Sequence, residues 1–230
     1  ASASIGSVIL DEADEMLSMG FKKDLDTILS ALPATKNRWL FSATLPEGIR
    51  QIINSHLSSN AIKIKVSGKN VVNKKIEHKY ILVEDADKLT TLLQYLKFKG
   101  KERGIVFCKT KNTTKTLAKQ LIAKNISADA IHGDLLQKER DKVMRAFKNE
   151  SLRILVATDL TARGIDVEDL AFVVHYELPS QDEFYTHRSG RTARAGKEGM
   201  SLAIVNSKEL KQLRFFEKTL GISFSQIRQK

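Results

Sequence analysis

Gly104–Ala157 reads GIVFCKTKNTTKTLAKQLIAKNISADAIHGDLLQKERDKVMRAFKNESLRILVA. Short apolar runs alternate with longer amphipathic ones. Gly104–Cys108 is expected to be a strand, Asn112–Lys124 a helix, Ala128–His132 a strand, Gln137–Lys148 a helix and Arg153–Ala157 a strand. Apolar strands joined by helices imply a parallel sheet covered on both faces, so the fold class is α/β. The pattern continues outward. Tyr80–Val83 and Asp87–Lys97 add a strand and a helix before it. Phe172–Tyr176, a polar helix over Gln181–Thr192, the strand Met200–Val205 and the helix Lys208–Leu220 follow it.

The first part of the chain has the same grammar but fewer strands. Ser7–Leu10, Arg38–Ser42 and Ile62–Val66 read as strands, and Asp14–Leu32 and Glu47–Leu57 as helices. Three strands are too few to bury both faces of such a sheet. The expectation is a partial first lobe over 1–68, a polar linker over 69–75 and a complete second lobe over 76–230.

The 230 residues include 42% apolar residues and 3 prolines, a folded composition rather than a disordered one. The lone cysteine, Cys108, excludes an intrachain disulfide and a cysteine-based zinc site. No apolar run reaches the roughly 18 residues of a membrane span. The opening ASASIGSVIL has no basic segment before a long apolar one, so no signal peptide is expected. Residues 1–68 hold 7 Lys and Arg against 7 Asp and Glu, whereas residues 69–230 hold 31 against 20. The whole +11 therefore sits in the second part, which suits a polyanion-binding surface or a solvated lysine-rich one.

Four clusters follow apolar runs, where α/β sheets place ligands. Asp11-Glu12-Ala13-Asp14 offers carboxylates for a hydrated Mg²⁺ and for a water nucleophile, although acids also suit a helix N-terminus. Ser42-Ala43-Thr44 supplies hydroxyls that equally cap a turn. Thr158–Asp166 combines hydroxyls, Arg163, a turn-permitting Gly164 and Asp166. In His187–Gly196, Arg188, Arg191 and Arg194 recur every three residues. On a helix they would make one cationic ridge, suited to phosphate oxygens.

In this order and spacing, the clusters resemble the DEAD-box family of superfamily-2 RNA helicases over essentially the whole chain. Asp11–Asp14 matches motif II, Ser42–Thr44 motif III, Ile105–Thr110 motif IV, Gln137 and Arg140 the Q-x-x-R element, Thr158–Asp166 motif V and His187–Gly196 motif VI. The resemblance implies two RecA-like lobes with ATP, Mg²⁺ and RNA as ligands. It implies that Asp11 coordinates Mg²⁺ through water and Glu12 activates the attacking water. Asp14 would couple motif II to Ser42 and Thr44, or to motif VI. Arg191 and Arg194 would act on the γ-phosphate, His187 would bridge to motif II, and Gly164 and Asp166 would meet the nucleotide. Thr110, Gly133, Arg140, Thr158 and Arg163 would line the RNA backbone path, with little sequence specificity. A monomer in the cytoplasm, or in the nucleus of a eukaryote, is the matching expectation, and accessory proteins stay unspecified.

One departure stands out. No G-x-x-x-x-G-K-[ST] is present, and Gly68-Lys69, Gly100-Lys101 and Gly196-Lys197 all lack the following hydroxyl residue. Without that loop the phosphates have no cradle. The fragment alone is expected to be inactive and the intact parent an ATP-dependent RNA helicase. A catalytically dead RNA-binding module and a superfamily-2 DNA helicase are the alternatives. His56, His78, His132 and His175 show no metal-ligand spacing and read as structural, Cys108 and Trp39 as packing, and Lys111–Lys119 as a ridge that is solvated or touches RNA.

Overall fold

The computed structural model describes residues 5–228 except 19, 33–36, 43, 66–71, 163–169 and 194–196. Arg163, Gly164, Asp166 and Arg194 therefore lie outside the described residues, as do residues 69–71 of the expected linker. The chain divides into two compact units, Ala1–Ser67 and Gly68–Lys230.

The first unit runs β1 (Ser7–Leu10), α1 (Ala13–Ser18), α2 (Lys22–Ser30), β2 (Asn37–Leu40) and α3 (Glu47–His56). β1 and β2 pair in parallel, with Ile9 opposite Trp39 and Leu10 opposite Leu40. Successive strand residues point to opposite faces. Leu10 joins Ala13, Leu25, Leu29, Ile49 and Ile52 in one core, with Val8 and Leu40 packed against it. The opposite face is bare: Ile9 is 64% and Trp39 54% exposed. Trp39 is thus not a packing residue here, because the helices cover only one side of this small sheet.

Two further expectations change. The single helix over 14–32 is broken, since Gly20 takes a left-handed φ of 86° and Phe21 N–H closes back on the Met16 carbonyl at 3.1 Å. The third strand over 62–66 does not form: residues 61–65 join no sheet, and Ile62 is 89% exposed. A strand needs a partner for its backbone groups, and among the described residues neither edge of the β1–β2 pair receives this segment.

The second unit contains β3 (Ile76–Leu82), α4 (Lys88–Phe98), β4 (Gly104–Phe107), α5 (Lys111–Ala123), β5 (Ala128–Ile131), α6 (Gln137–Lys148), β6 (Ile154–Ala157), α7 (Asp159–Ala162), β7 (Phe172–His175), α8 (Asp182–Ser189), β8 (Gly199–Val205), α9 (Leu210–Leu220) and β9 (Ser225–Gln226). The seven strands are parallel in the order β5-β6-β4-β7-β8-β3-β9. Because side chains alternate, each of β3 to β8 feeds two cores. Val106, Ile154, Val156 and Val174 pack under α4 and α5. Ile105, Leu155 and Val173 pack under α6, and Tyr80, Ala203 and Val205 under α8 and α9. The strand order reverses around β4, which opens ligand space at the carboxyl ends there. Gly104 is required on β4, since a Cβ there would overlap the Phe172 ring of the neighbouring strand.

The sequence pattern missed α7 and β9, and it extended α8 to Thr192 although the helix stops at Ser189. Val72, read as linker, is buried in the core beneath α9. A polar network runs beneath α8. His78 Nδ1 lies 2.7 Å from the Tyr185 hydroxyl, which is 3.0 Å from the Ser201 hydroxyl. Ser201 in turn lies 3.0 Å from His175 Nε2 and 2.9 Å from the Ser189 hydroxyl. The His175 ring stacks on Tyr185 at 4.5 Å.

Burial holds the His78 imidazole neutral, lowering its pKa from 6.5 to about 4. Burial, then Arg188 and His78, push His175 down as well. Both histidines are more basic in the unfolded chain, so their contribution is intact above pH 6.5 and is lost as pH falls toward 4. The second unit should lose as much as about 3 kcal/mol over that window through His78 alone. Urea unfolding of the chain at pH steps between these limits reads the loss, and His78→Gln should remove the His78 share of it and leave that of His175.

Candidate functional site

The chemistry-bearing residues of the first unit gather where β1 and β2 end. The Phe41 N–H donates to the Leu10 carbonyl at 2.7 Å, and the Ala13 N–H donates to the Phe41 carbonyl at 3.0 Å. These bonds carry the parallel pairing past the strands and hold Asp11–Asp14 beside Ser42–Thr44. Asp14 Oδ2 accepts from both the backbone N–H and the hydroxyl of Thr44, each at 2.7 Å. The Ser42 hydroxyl donates to the Thr44 carbonyl at 2.5 Å. Partial burial pushes the Asp14 carboxyl up, but the Thr44 and Ser42 hydrogen bonds outweigh it and leave it below the ordinary range.

Asp11 and Glu12 stay exposed. Asp11 Oδ1 accepts the Glu12 N–H at 2.9 Å. Glu12 has a φ of 49°, a left-handed conformation that costs a non-glycine residue on the order of 1 kcal/mol. Strain of this kind persists only where neighbouring contacts impose it, and here the Ala13–Phe41 bond follows immediately.

In the second unit the predicted residues meet at the carboxyl ends of β4, β5 and β6. Thr110 caps α5, its hydroxyl accepting the Thr113 N–H at 3.0 Å. Gly133 follows β5. Nothing lies within 4 Å of where its Cβ would be, and its φ is not positive. Neither packing nor backbone conformation requires glycine there. The adjacent His132 is buried, and its Nδ1 has no partner among the described residues. The Thr158 hydroxyl lies 3.0 Å from that of Thr161, which donates to the Ile131 carbonyl at 2.8 Å, and Arg140 Nη2 donates to the Thr161 carbonyl at 2.9 Å. Thr158 and Arg140 thus converge through Thr161, a residue that sequence reading did not single out. Lys115 and Lys111 both pair with Asp134, at 2.6 and 2.9 Å, and hold its carboxyl down at about 2. Two of the three lysines in the α5 ridge thereby share a single carboxylate, which offsets one of their two charges.

The expected arginine ridge is not a ridge. Arg188 is 2% exposed and points inward. Its Nε and Nη2 grip the Asp159 carboxylate at 2.5 and 2.7 Å, and Nη1 donates to the Glu177 carbonyl at 2.8 Å. Its guanidinium lies 5.0 Å from the Phe107 ring centroid. Arg191 lies past the end of α8, in the turn that begins at Gly190, and is half-buried. Its carbonyl accepts the Leu170 N–H at 3.3 Å. His187 is exposed on α8. A three-residue spacing makes a ridge only on a continuing helix, and this helix ends. Asp159 sits 29 residues before Arg188, and no local pattern joins the two.

Comparison with known proteins places these features in a family. The DEAD/DEAH box helicase model matches residues 2–52, and the helicase conserved C-terminal domain model matches residues 87–196. A solved C-terminal domain of the DEAD-box protein Dbp5 is 30% identical, with a TM-score of 0.63, covering 66% of this chain and 90% of that one.

The chain belongs to the DEAD-box helicase family.

A probable ATP-dependent RNA helicase of Methanocaldococcus jannaschii is 45% identical over 96% of this chain and 58% of its own length. Saccharomyces cerevisiae Dbp5 bound to RNA and ADP BeF3 is 29% identical with a TM-score of 0.85, covering 97% of this chain and 59% of that one. The chain spans 41–58% of the length of the curated relatives it matches.

In this DEAD-box chain the Arg188–Asp159 pair is the buried charge that shapes the strand-end surface. Arg188→Gln should destabilise the second unit by roughly 2–4 kcal/mol, because a carboxylate loses its partner. Adding Asp159→Asn should recover part of that loss, and a double-mutant cycle by urea unfolding measures the coupling.

Proposed function

We propose that the protein containing this chain hydrolyses ATP in an RNA-dependent manner and uses the cycle to unwind or remodel RNA locally. The observation that carries the reading is the clasp of Asp14 on Thr44, which holds Asp11 and Glu12 exposed at a strand end. In this reading Glu12 accepts the proton of the attacking water. Asp14 transmits the state of that turn to Ser42 and Thr44.

Asp11 is the residue that would hold Mg²⁺. A single exposed carboxylate suits an ion that keeps most of its water and takes phosphate oxygens for the rest. The ion would neutralise charge on the phosphates. In the second unit, Arg191 and Arg194 supply positive charge for phosphoryl transfer, His187 belongs to the same motif, and Gly164 and Asp166 contribute to nucleotide binding. Thr110, Gly133, Arg140, Thr158 and Arg163 take the RNA phosphates. The open space over Gly133 and the convergence of Arg140 and Thr158 on Thr161 support that assignment.

The 230-residue chain, which has no phosphate loop, should bind RNA with steep salt dependence and show negligible ATP turnover. The intact parent should show RNA-stimulated turnover that Glu12→Gln lowers by about two to four orders of magnitude. RNA-independent turnover, or turnover indifferent to Glu12→Gln, would overturn the reading. Glu12→Gly should abolish turnover too while stabilising the first unit by roughly 1 kcal/mol, since glycine relieves the left-handed strain. Thermal unfolding of the variant reads that gain.

A further inference from the structure

α6 breaks two rules of helix electrostatics at once. Lys138 lies in its first turn, where the positive end of the helix dipole disfavours a cation. Lys138, Lys142 and Arg145 then follow at spacings of four and three, which place like charges side by side on one face. That face is opposite the one that buries Val143 and Phe147, and all three cations are exposed.

The acids of the helix do not relieve them. Glu139 is drawn back to the N-terminus, where it accepts the Leu136 N–H at 2.8 Å. Asp141 accepts from the Gln137 amide at 2.8 Å. Among the described residues no ion pair reaches Lys138, Lys142 or Arg145. Elsewhere on this unit several cations, exposed or half-buried, do find acids: Lys79 with Glu77, Arg103 with Glu150, Lys111 and Lys115 with Asp134, and Arg214 with Glu217. A local rule broken with no compensating contact inside the chain marks a surface kept for something outside it.

The stripe is continuous with the strand-end surface. α6 starts four residues after Gly133, and its own Arg140 reaches the Thr161 carbonyl. From there the three cations run down the outside of the helix over about 10 Å.

We propose that the outer face of α6 is a second RNA contact, in which Lys138, Lys142 and Arg145 hold the phosphates of the single-stranded flank that leaves the Gly133–Arg140 region. This rests on the RNA-binding reading of the strand-end surface and extends its footprint around the edge of the sheet. The contact is to backbone charge, so it lengthens the bound segment without adding sequence preference.

The test is fluorescence anisotropy on the 230-residue chain with two single-stranded RNAs, one short enough to fill only the strand-end region and one about twice as long, titrated across salt. The comparison is with the triple variant Lys138→Gln, Lys142→Gln, Arg145→Gln. These side chains are exposed and the change removes like-charge repulsion, so thermal unfolding should show a fold at least as stable. The expected result is unchanged affinity for the short RNA and at least about tenfold weaker binding of the long one. The salt slope for the long RNA should be shallower by about 2, close to 0.7 per lost phosphate contact. Equal affinity and slope for the long RNA in both proteins overturns the inference and leaves the strand-end reading standing. No binding of either RNA by the unsubstituted chain overturns both. Loss of polyglutamate binding in the variant, with RNA binding unchanged, overturns the RNA assignment in favour of an acidic protein partner.

Discussion

A guanidinium cannot be taken out of water without acceptors for its donors, and Arg188 is the largest fully buried side chain among the described residues. Its partners come from separate elements: Asp159 after β6, the Glu177 carbonyl after β7, and the face of Phe107 at the end of β4. One side chain thereby ties three central strand ends to α8. Behind it, His175 stacks between Phe107 and Tyr185 and joins the hydroxyls of Ser189 and Ser201. The turn that carries Arg191 starts directly from this anchored helix end, so its position follows from a buried ion pair rather than from helix propensity.

The first unit solves a similar problem with smaller groups. Two parallel strands and one covered face offer little rigidity, yet Asp14 closes on Thr44 with two hydrogen bonds to one carboxylate oxygen. A carboxylate held below its usual pKa by such bonds stabilises the turn wherever it is ionised. The cost appears next door, in the left-handed backbone of Glu12. Strain beside an exposed carboxylate is the pattern of a site that trades stability for geometry.

The α/β class, the parallel second sheet and the helices over Gln137–Lys148 and Glu47–His56 were legible because both periodicities are strong there. Apolar strand runs buried on both faces also fixed the placement of β4, β6 and β7 to within a residue or so. The elements that failed lacked a local signal. Ile62–Val66 looks like a strand by composition, but its described residues, 62–65, join no sheet. Asp14–Leu32 looks like one helix by spacing, but Gly20 interrupts it. α7 and β9 are too short to show a period.

The site divides along the same line. Sequence alone determined which residue types stand at which strand ends, and their order and gaps were enough to give the family. It also determined the charge imbalance, since counting does not depend on folding. Only the tertiary structure decided which of those residues face one another. Asp14 and Thr44 are 30 residues apart and meet because parallel strands bring distant carboxyl ends together, and Asp159 and Arg188 are 29 apart and meet because α8 packs over the end of β6. An evenly spaced arginine series therefore split into a buried structural ion pair and a turn residue. Local spacing describes neighbours on a helix, whereas a parallel sheet makes neighbours of residues a whole crossover apart.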